Sequence, residues 1–510
     1  MQQFKRSGHL EDISEAIKNI QRAVQLTPDS HTDLPIWLNN LGNSLLYRFE
    51  HTGDTDSISE AIQHQQRAVQ KTPVGHADLP GRLNSLGNSF LRRFEHTGDV
   101  EDVSEAIQNQ QRAVQLTTLA ERHADLPALL NNLGNSFSRR SSRRTGHLED
   151  ISEAIRNLQR AIQLTPDRHA DLPILRNNLG NSFVDRFELT GDIKDISEAI
   201  QILQRAIQLA PDKHPLLPAL FNNLGNSLFA RFERTGDIED ISEAIRIRKR
   251  AIQLAPEEHA DLPVLLGNLG NSFSSRFKHT QDLKDLSEGI RNTQCAVQLT
   301  PKEHAYSATL LKNLGNSFHI HFKHTGDREF LSMAILNYRL SATSPTGPPS
   351  DRIEAAQQWA TLSRHTPFES SQLLEAHACI IQLLSLISGL ENTVQRRHET
   401  LVKSSQLSIT ASTTALSLAR PDKALEWLME GRCIVWNQLN QLRTPVDELR
   451  AHNPALAQRL IILTRALENA GLRTDLRGTK MESLPMEDKI SLEEQAGKHI
   501  KLAKHTAFRD

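Results

Sequence analysis

The sequence predicts an all-α fold, a solenoid of stacked helix pairs, and three observations point to it. The tetrapeptide LGNS occurs seven times, with its glycine at Gly42, Gly87, Gly134, Gly180, Gly225, Gly270 and Gly315, at spacings of 45, 47, 46, 45, 45 and 45 residues. A second signature, SEAI, begins at Ser14, Ser59, Ser104, Ser152, Ser197 and Ser242, and continues as SEGI at Ser287 and SMAI at Ser332. Apolar residues between these signatures keep a helical period, and nowhere alternate as in a strand. A fixed period of this length marks a repeat architecture. The repeats fill residues 1–340, and the first unit shows only its second half.

Each unit reads as two helices. In DLPIWLNNLGNSLLYRFE, residues 33–50, Leu38, Leu41, Leu45 and Phe49 share one face with Gly42. Asn39, Asn40, Asn43 and Tyr47 fall on the other side. Asp33 is the expected N-cap and Pro35 suits the first turn, where a missing N–H costs nothing. Gly53, in HTGD, suits the left-handed residue that ends a helix. In the second helix, Asp240 and Glu243 have capping-box spacing. So do Asp12/Glu15, Asp102/Glu105, Asp150/Glu153, Asp195/Glu198 and Asp285/Glu288, with Ser57/Glu60 in the same role. Ile241, Ala244, Ile245, Ala251 and Ile252 make an apolar stripe, closed by Pro256. No pair can bury its apolar surface alone, so neighbours must stack.

Composition supports a thin, continuous core. Of 510 residues only 38% are apolar and 5% aromatic. Lys+Arg number 59 and Asp+Glu 61, for a net charge of -2. That balance argues against a chain built to neutralise phosphates, so no nucleic-acid partner is expected. Cys295, Cys379 and Cys433 are far apart, with no CxxC, which points to a reducing, cytoplasmic setting. The most apolar run, Ala378 to Leu390, is too short to span a bilayer, and the N-terminus has no signal-peptide stretch.

The Leu-Gly of LGNS, then Ala61, Ala68 and Pro73, resembles the tetratricopeptide (TPR) signature. Here the first helix and turn are lengthened: Ala61 comes 19 residues after Gly42, more than the classical repeat allows. Gln65, Gln110 and Arg248 occupy the second large apolar position of the second helix. After a Pro/Ser/Gly-rich stretch at 341–351, read as a linker or a break in the stacking, helical patterns resume over 352–475. A charged, poorly ordered tail is expected at 476–510. Residues 421–449 resemble the segment that joins TPR arrays to a caspase-like CHAT protease domain in fungal and bacterial proteins. The matching residues are Ala424-Leu425-Glu426-Trp427, Glu430-Gly431-Arg432, Trp436, Leu439 and Leu442-Arg443-Thr444-Pro445. Asn453-Pro454-Ala455-Leu456-Ala457 also fits, and Trp359-Ala360 and Arg397-His398 match more loosely. The protease domain itself would come after this segment. The residues beyond Asp475 are few, charged and strand-poor, so that domain is expected to be absent.

No catalytic residue, metal site or cofactor is expected. Cys295 stands where other units carry Arg22, Arg67, Arg112, Arg160, Arg205 and Arg250, and none of the cysteines has a neighbouring base. His31, His76, His123, His169, His214, His259 and His304 recur once per unit, too far apart to share a metal, and read as part of the turn. The cluster His319, His321 and His324 lacks acidic or Cys partners in sequence. The basic run Arg139, Arg140, Arg143 and Arg144 reads as a solvated helix end.

The candidate binding residues are asparagines one turn apart on the polar side of the first helix: Asn39/Asn43, Asn84/Asn88, Asn131/Asn135, Asn177/Asn181 and Asn222/Asn226. The pattern frays at Gly267/Asn271 and Lys312/Asn316. The TPR resemblance implies that these positions line a concave groove that takes an extended peptide. Asn can pair with a peptide backbone through both a donor and an acceptor. The rival reading has them bridging adjacent units. The function expected is a non-catalytic scaffold for an unnamed protein or peptide, without a membrane or nucleic-acid partner. The alternatives are the regulatory half of a TPR–CHAT cysteine protease and an adaptor similar to kinesin light chain.

Overall fold

In a computed structural model, which describes residues 10–119, 124–142, 147–212, 214–256, 259–364, 370–387 and 394–442, every regular element is a helix. Gly146, Arg143, Arg144, His123, residues 443–475 and the 476–510 tail lie outside the described residues. The chain divides into two compact bodies, Met1–Gly236 and Asp237–Asp510.

In the first body, Leu10–Leu26 is followed by first and second helices in alternation: Leu34–Thr52 and Thr55–Gln70, Leu79–Thr97 and Val100–Leu119, Leu126–Arg140 and Leu148–Leu164, Leu172–Thr190 and Ile193–Leu209, then Leu217–Thr235. The second body opens on Ile238–Leu254, continues through Leu262–Thr280, Leu283–Leu299, Tyr306–Thr325 and Arg328–Ala342, and adds Pro349–Ser363, Ser370–Ile387, Val394–Ser417 and Pro421–Leu442. The expected apolar faces are the buried ones: Leu38, Leu41, Leu45 and Phe49 in one first helix, Ile241, Ala244, Ile245 and Ala251 in one second helix. A core cluster of the first body runs through successive pairs, from Ile13 and Leu41 to Leu133 and Phe137. This is the quasi-one-dimensional core that stacking predicts.

The glycine of LGNS sets how closely a pair packs. A Cβ on Gly42 would lie 2.5 Å from Gln65 Cγ, on Gly134 2.8 Å from Leu158 Cγ, and on Gly315 2.8 Å from a Tyr338 ring carbon. Without a side chain there, the second helix lies directly against the first. Gly53, Gly98, Gly191, Gly236 and Gly326 all have φ near +70°, and each donates its N–H to the phenylalanine carbonyl four residues back. Gln281 adopts the same left-handed conformation at φ 58°.

The capping expectation for the second helix is corrected. Its N-cap is the Asp that follows the left-handed residue: Asp54, Asp192, Asp237, Asp282 and Asp327 each accept a backbone N–H from two residues on. Asp102, Asp150, Asp195 and Asp285 sit inside the first turn, buried, and each takes a two-pronged bond from an arginine near the end of the preceding first helix. The pairs are Arg93–Asp102 at 2.9 and 2.6 Å, Arg140–Asp150 at 2.8 and 2.5 Å, Arg186–Asp195 at 2.8 and 2.5 Å, and Arg276–Asp285 at 2.7 and 2.6 Å. Ser57 replaces this aspartate in its unit and takes Arg48 Nε at 2.7 Å. Asp33, likewise, makes no side-chain cap bond. His31 does that work, its Nδ1 accepting the Asp33 N–H at 3.1 Å, and His76, His169, His214, His259 and His304 repeat the bond.

The stretch at 341–351 is folded into the second body. Ser341 lies in helix 328–342 and donates to Ala308 O at 2.7 Å. Asp351 accepts from Thr309 Oγ1 at 2.5 Å and Lys312 Nζ at 2.8 Å. Trp359, Ile380, Ala415 and Trp427 then extend one core cluster through the C-terminal helices. Inside it, His377 is 3% exposed and neither ring nitrogen has a hydrogen-bond partner.

Gly in place of Gln281 should stabilise its turn by about 1 kcal/mol, because a left-handed residue costs less without a Cβ. Hydrogen exchange over residues 265–290 should show greater protection in Gln281→Gly. For His377, burial, helped by Arg364, pushes the imidazole pKa down to about 4. The unfolded chain then binds a proton that the folded one refuses, so the titration of this residue contributes nothing above pH ~6.5 and destabilises progressively down to pH ~4, by about 3 kcal/mol in all. Urea unfolding monitored by tryptophan fluorescence should lose stability more steeply below pH 6.5 in the wild type than in His377→Leu; equal slopes would refute it.

Candidate functional site: the asparagine columns

The two asparagine columns are held on the first helices one turn apart, and both are half-buried. Their surroundings differ. The first column is stitched between units. Asn132 Nδ2 donates to Asn84 Oδ1 at 3.0 Å, Asn178 to Asn131 at 2.9 Å, and Asn223 to Asn177 at 2.8 Å. Within a unit, Asn131 donates to Asn132 at 3.5 Å and Asn177 to Asn178 at 3.4 Å. The result is a ladder of amides, each side chain passing a hydrogen bond toward the preceding unit.

The ladder fails where its sequence fails. Asn39 Oδ1 is buried and has no partner, because its donor position in the next unit is Ser85 rather than Asn. In the second body Gly267 carries no amide because Leu310 fills the space: a Cβ there would lie 2.5 Å from Leu310 Cδ2. Lys312 exchanges the amide for an ammonium held by Asp351 and Glu354, each at 2.8 Å. Burial opposes that charge, but the two carboxylates outweigh it and raise the lysine's pKa.

The second column is tied to its own pair through one end of the amide. Gln65 Nε2 donates to Asn43 Oδ1 at 3.0 Å, Gln110 to Asn88 at 3.0 Å, and Tyr338 Oη to Asn316 at 2.7 Å. These contacts explain the polar residues at the second large position of the second helix: they cover the LGNS glycine and reach its neighbouring asparagine. Arg248, at the same position, reaches instead to Asn268 O at 2.8 Å and to Ser272 Oγ. The Nδ2 groups of Asn43, Asn88 and Asn316 make no hydrogen bond within the described residues, and Asn135, Asn181 and Asn271 make none through either end. Asn222 and Asn226 stand at the same register positions as these columns.

The ladder's donors, Asn132, Asn178 and Asn223, belong to a position that sequence reasoning placed on the polar side without assigning a role. Their signal is the Asn-Asn doublet before LGNS, which Ser85 interrupts.

Other candidates resolve into packing. His321 stacks on Phe330 with ring centroids 3.7 Å apart, at the register positions where other pairs hold Arg and Asp. His324 packs edge-on against Phe277 and His319 against Tyr338. No group of three or more potential metal ligands occurs among the described residues. Arg139 pairs with Glu95 at 3.1 Å and Arg140 with Asp150, so this half of the basic run is neutralised. Cys295 is exposed on its helix; burial pushes the Cys379 thiol pKa up, away from the nucleophilic thiolate. The side chain of Cys433 is outside the described residues. No described helix is long and apolar enough to cross a membrane.

No protein-family model and no curated protein matches the chain. Similar solved structures are the nearly identical TPR-like repeats of a protein of Podospora anserina described as a putative kinesin light chain, the C-terminal part of a TPR repeat-containing protein from Cytophaga hutchinsonii, and BtubC (BKLC) from P. vanneervenii. Their identities are 14%, 15% and 16%, and their TM-scores 0.31, 0.36 and 0.33. They cover 42%, 57% and 46% of this chain and 92%, 93% and 89% of their own. Likeness at this level says nothing of what this chain binds.

The missing rung gives a direct test. Ser85→Asn should supply the donor that Asn39 Oδ1 lacks and stabilise the first body by about 1 kcal/mol. The urea midpoint should rise in Ser85→Asn but stay put in Ser85→Asn combined with Asn39→Ala. A rise in both would show that the ladder is not its source.

Proposed function

We propose that this chain is a non-catalytic scaffold that holds an extended peptide or a partner segment along the faces of its first helices. In the first body the amide N–H groups of Asn43, Asn88, Asn135 and Asn181 would meet the peptide backbone, and in the second body, taken by itself, those of Asn271 and Asn316. One observation carries this reading: these amides keep unused donors at half-exposed positions, while the neighbouring column spends its hydrogen bonds inside the stack. A row of amides can grip a backbone without reading its side chains. Adding small terms over several units is the way a repeat array gains affinity.

The partner class is protein, in a cytoplasmic setting, and no catalytic step is assigned. The ALEW–EGR–W–LRTP block supports a kinship with the repeat regions of TPR–CHAT proteins, in which the array would act as the sensing half. Part of that block lies within helix 421–442 and part outside the described residues.

Two double variants separate binding from scaffolding. Asn135→Ala with Asn181→Ala should leave the thermal melt within about 1 kcal/mol of wild type. Asn131→Ala with Asn177→Ala should cost about 2–4 kcal/mol, because buried partners are left unpaired. A peptide selected against the wild-type chain should bind the first variant roughly tenfold more weakly or worse. Melting losses that fall on Asn135 and Asn181 would sink the groove assignment.

A further inference from the structure

In the first body a groove of about 530 Å³ opens between helix 100–119 and the pair that follows it. Leu133 and Phe137 make its floor, and Gln111 lines it from helix 100–119. Glu149, Glu153 and Asn157 line it from helix 148–164, where they recur every four residues as one row. The cations of the groove are already engaged. Arg140 takes both oxygens of Asp150 and lies over the Phe137 ring, 5.4 Å from its centre, and Arg156 bonds Glu153 Oε1 at 2.6 Å. Its acceptors are not. The Glu149 carboxylate, Glu153 Oε2, Gln111 Oε1 and Asn157 Oδ1 take no hydrogen bond among the described residues. A ligand that suits such a set brings several donors and no acceptor, which describes an ammonium.

The second body, taken by itself, shows how such a groove is filled. Lys249 and Phe273 stand there at the register positions of Gln111 and Phe137, and Arg276 and Asp285 at those of Arg140 and Asp150. The Phe273 ring carries Arg276, 5.8 Å from its centre, and also the Lys249 ammonium, 5.2 Å from it. At Phe137 the arginine has its counterpart, but the lysine position is the uncharged Gln111. Charge favours a cation more strongly here, because Glu149 stands where the second body has Lys284. We propose that the Phe137 groove takes a lysine side chain from a partner polypeptide, its stem along the apolar floor and its ammonium against the ring and the row of Glu149 and Glu153. A free polyamine would set its second cation against Arg140 and Arg156, and the groove has the size of a ligand pocket rather than of an ammonium ion. Asn131 and Asn135 lie on the opposite side of the same helix from Leu133 and Phe137, so this inference does not rest on the asparagine columns.

The test uses the full chain and the capped peptide acetyl-Ala-Ala-Lys-Ala-Ala-amide, whose one amine a carbodiimide couples to a carboxylate it touches. Mass spectrometry maps the coupled sites. Glu198, exposed and at the register position of Glu153 in the next unit, is the reference. Coupling at Glu149 and Glu153 should exceed that at Glu198 about fivefold or more, the order of effect one cation–π contact gives. Gln111→Lys should bring it down to the Glu198 level, because the chain's own ammonium then fills the groove. Gln111→Met, of similar length and uncharged, should leave it high. Phe137→Leu, matching Leu45 and Leu228 at this register, should lower it severalfold, and this arm decides the matter if Gln111→Lys misfolds by circular dichroism. Coupling at Glu149 and Glu153 no higher than at Glu198 overturns the proposal, as does coupling that Gln111→Lys leaves unchanged. So does 1,5-diaminopentane that couples there several times more strongly than the peptide, which would give the groove to a free polyamine.

Discussion

Everything in each repeat depends on the contact between the glycine of LGNS and the residue that crosses over it from the second helix. The crossing residue varies in kind, from Gln65 and Gln110 to Leu158, Leu203, Thr293 and Tyr338, but a Cβ on the glycine would meet each at under 3 Å. The backbone separation is thus set by the residue that has no side chain, and the opposing position is free to drift. With the crossing fixed there, two other contacts fall into place. Toward the turn, an arginine from the first helix meets the aspartate of the second, as in Arg186 and Asp195. Beside the glycine, the crossing side chain can reach the asparagine next to it, which Gln65, Gln110 and Tyr338 do.

Near-identical units raise a register problem that apolar packing alone does not solve. Leucines and isoleucines attract without direction, and a unit offset from its neighbour would bury almost as much surface. The amide ladder is directional. Asn178 can bond Asn131 only when the two first helices are aligned, and an offset leaves buried amides unpaired at a cost of about 1–3 kcal/mol each. The two asparagine columns thus differ in their partners: the first bonds between units, and the second bonds within its own pair.

Much of the fold was legible from the chain. Period, apolar stripes, the histidine turn and the left-handed glycine of HTG are local signals, and each appears where expected. The errors lie where the deciding partner is on another helix. Asp102 and Glu105 have capping-box spacing, but so does any Asp-x-x-Glu in a helix's first turn. The true cap lies three residues earlier at Asp99, whose Oδ1 accepts the Glu101 N–H. What fixes Asp102 is Arg93, across a turn, and only the fold brings them together. The asparagine columns were visible as a pattern but not as two roles. Their partners are 46–48 residues away for the first column and 22 for the second, and spacing within one helix carries no record of either.

The end of the array shows the same logic from the other side. In the pair 306–325 and 328–342 the repeat grammar changes at several positions at once. His321 on Phe330 replaces the arginine–aspartate bond, and Lys312 turns to Asp351 and Glu354 instead of joining an amide ladder. On the outer side of the second helix, Met333, Leu336 and Leu340 stand where Glu243, Arg246 and Arg250 are charged. The Lys312 change suits a unit whose next neighbour is helix 349–363 rather than another copy, whereas the His321–Phe330 stack stays within its own pair. An amide ladder needs the same asparagines on both sides, whereas an ion pair needs one partner of any provenance, here from helix 349–363. The asparagine ladder is therefore a rule about neighbours: it lapses within the array where Ser85 and Gly267 replace an asparagine, and beside helix 349–363 an ion pair takes its place.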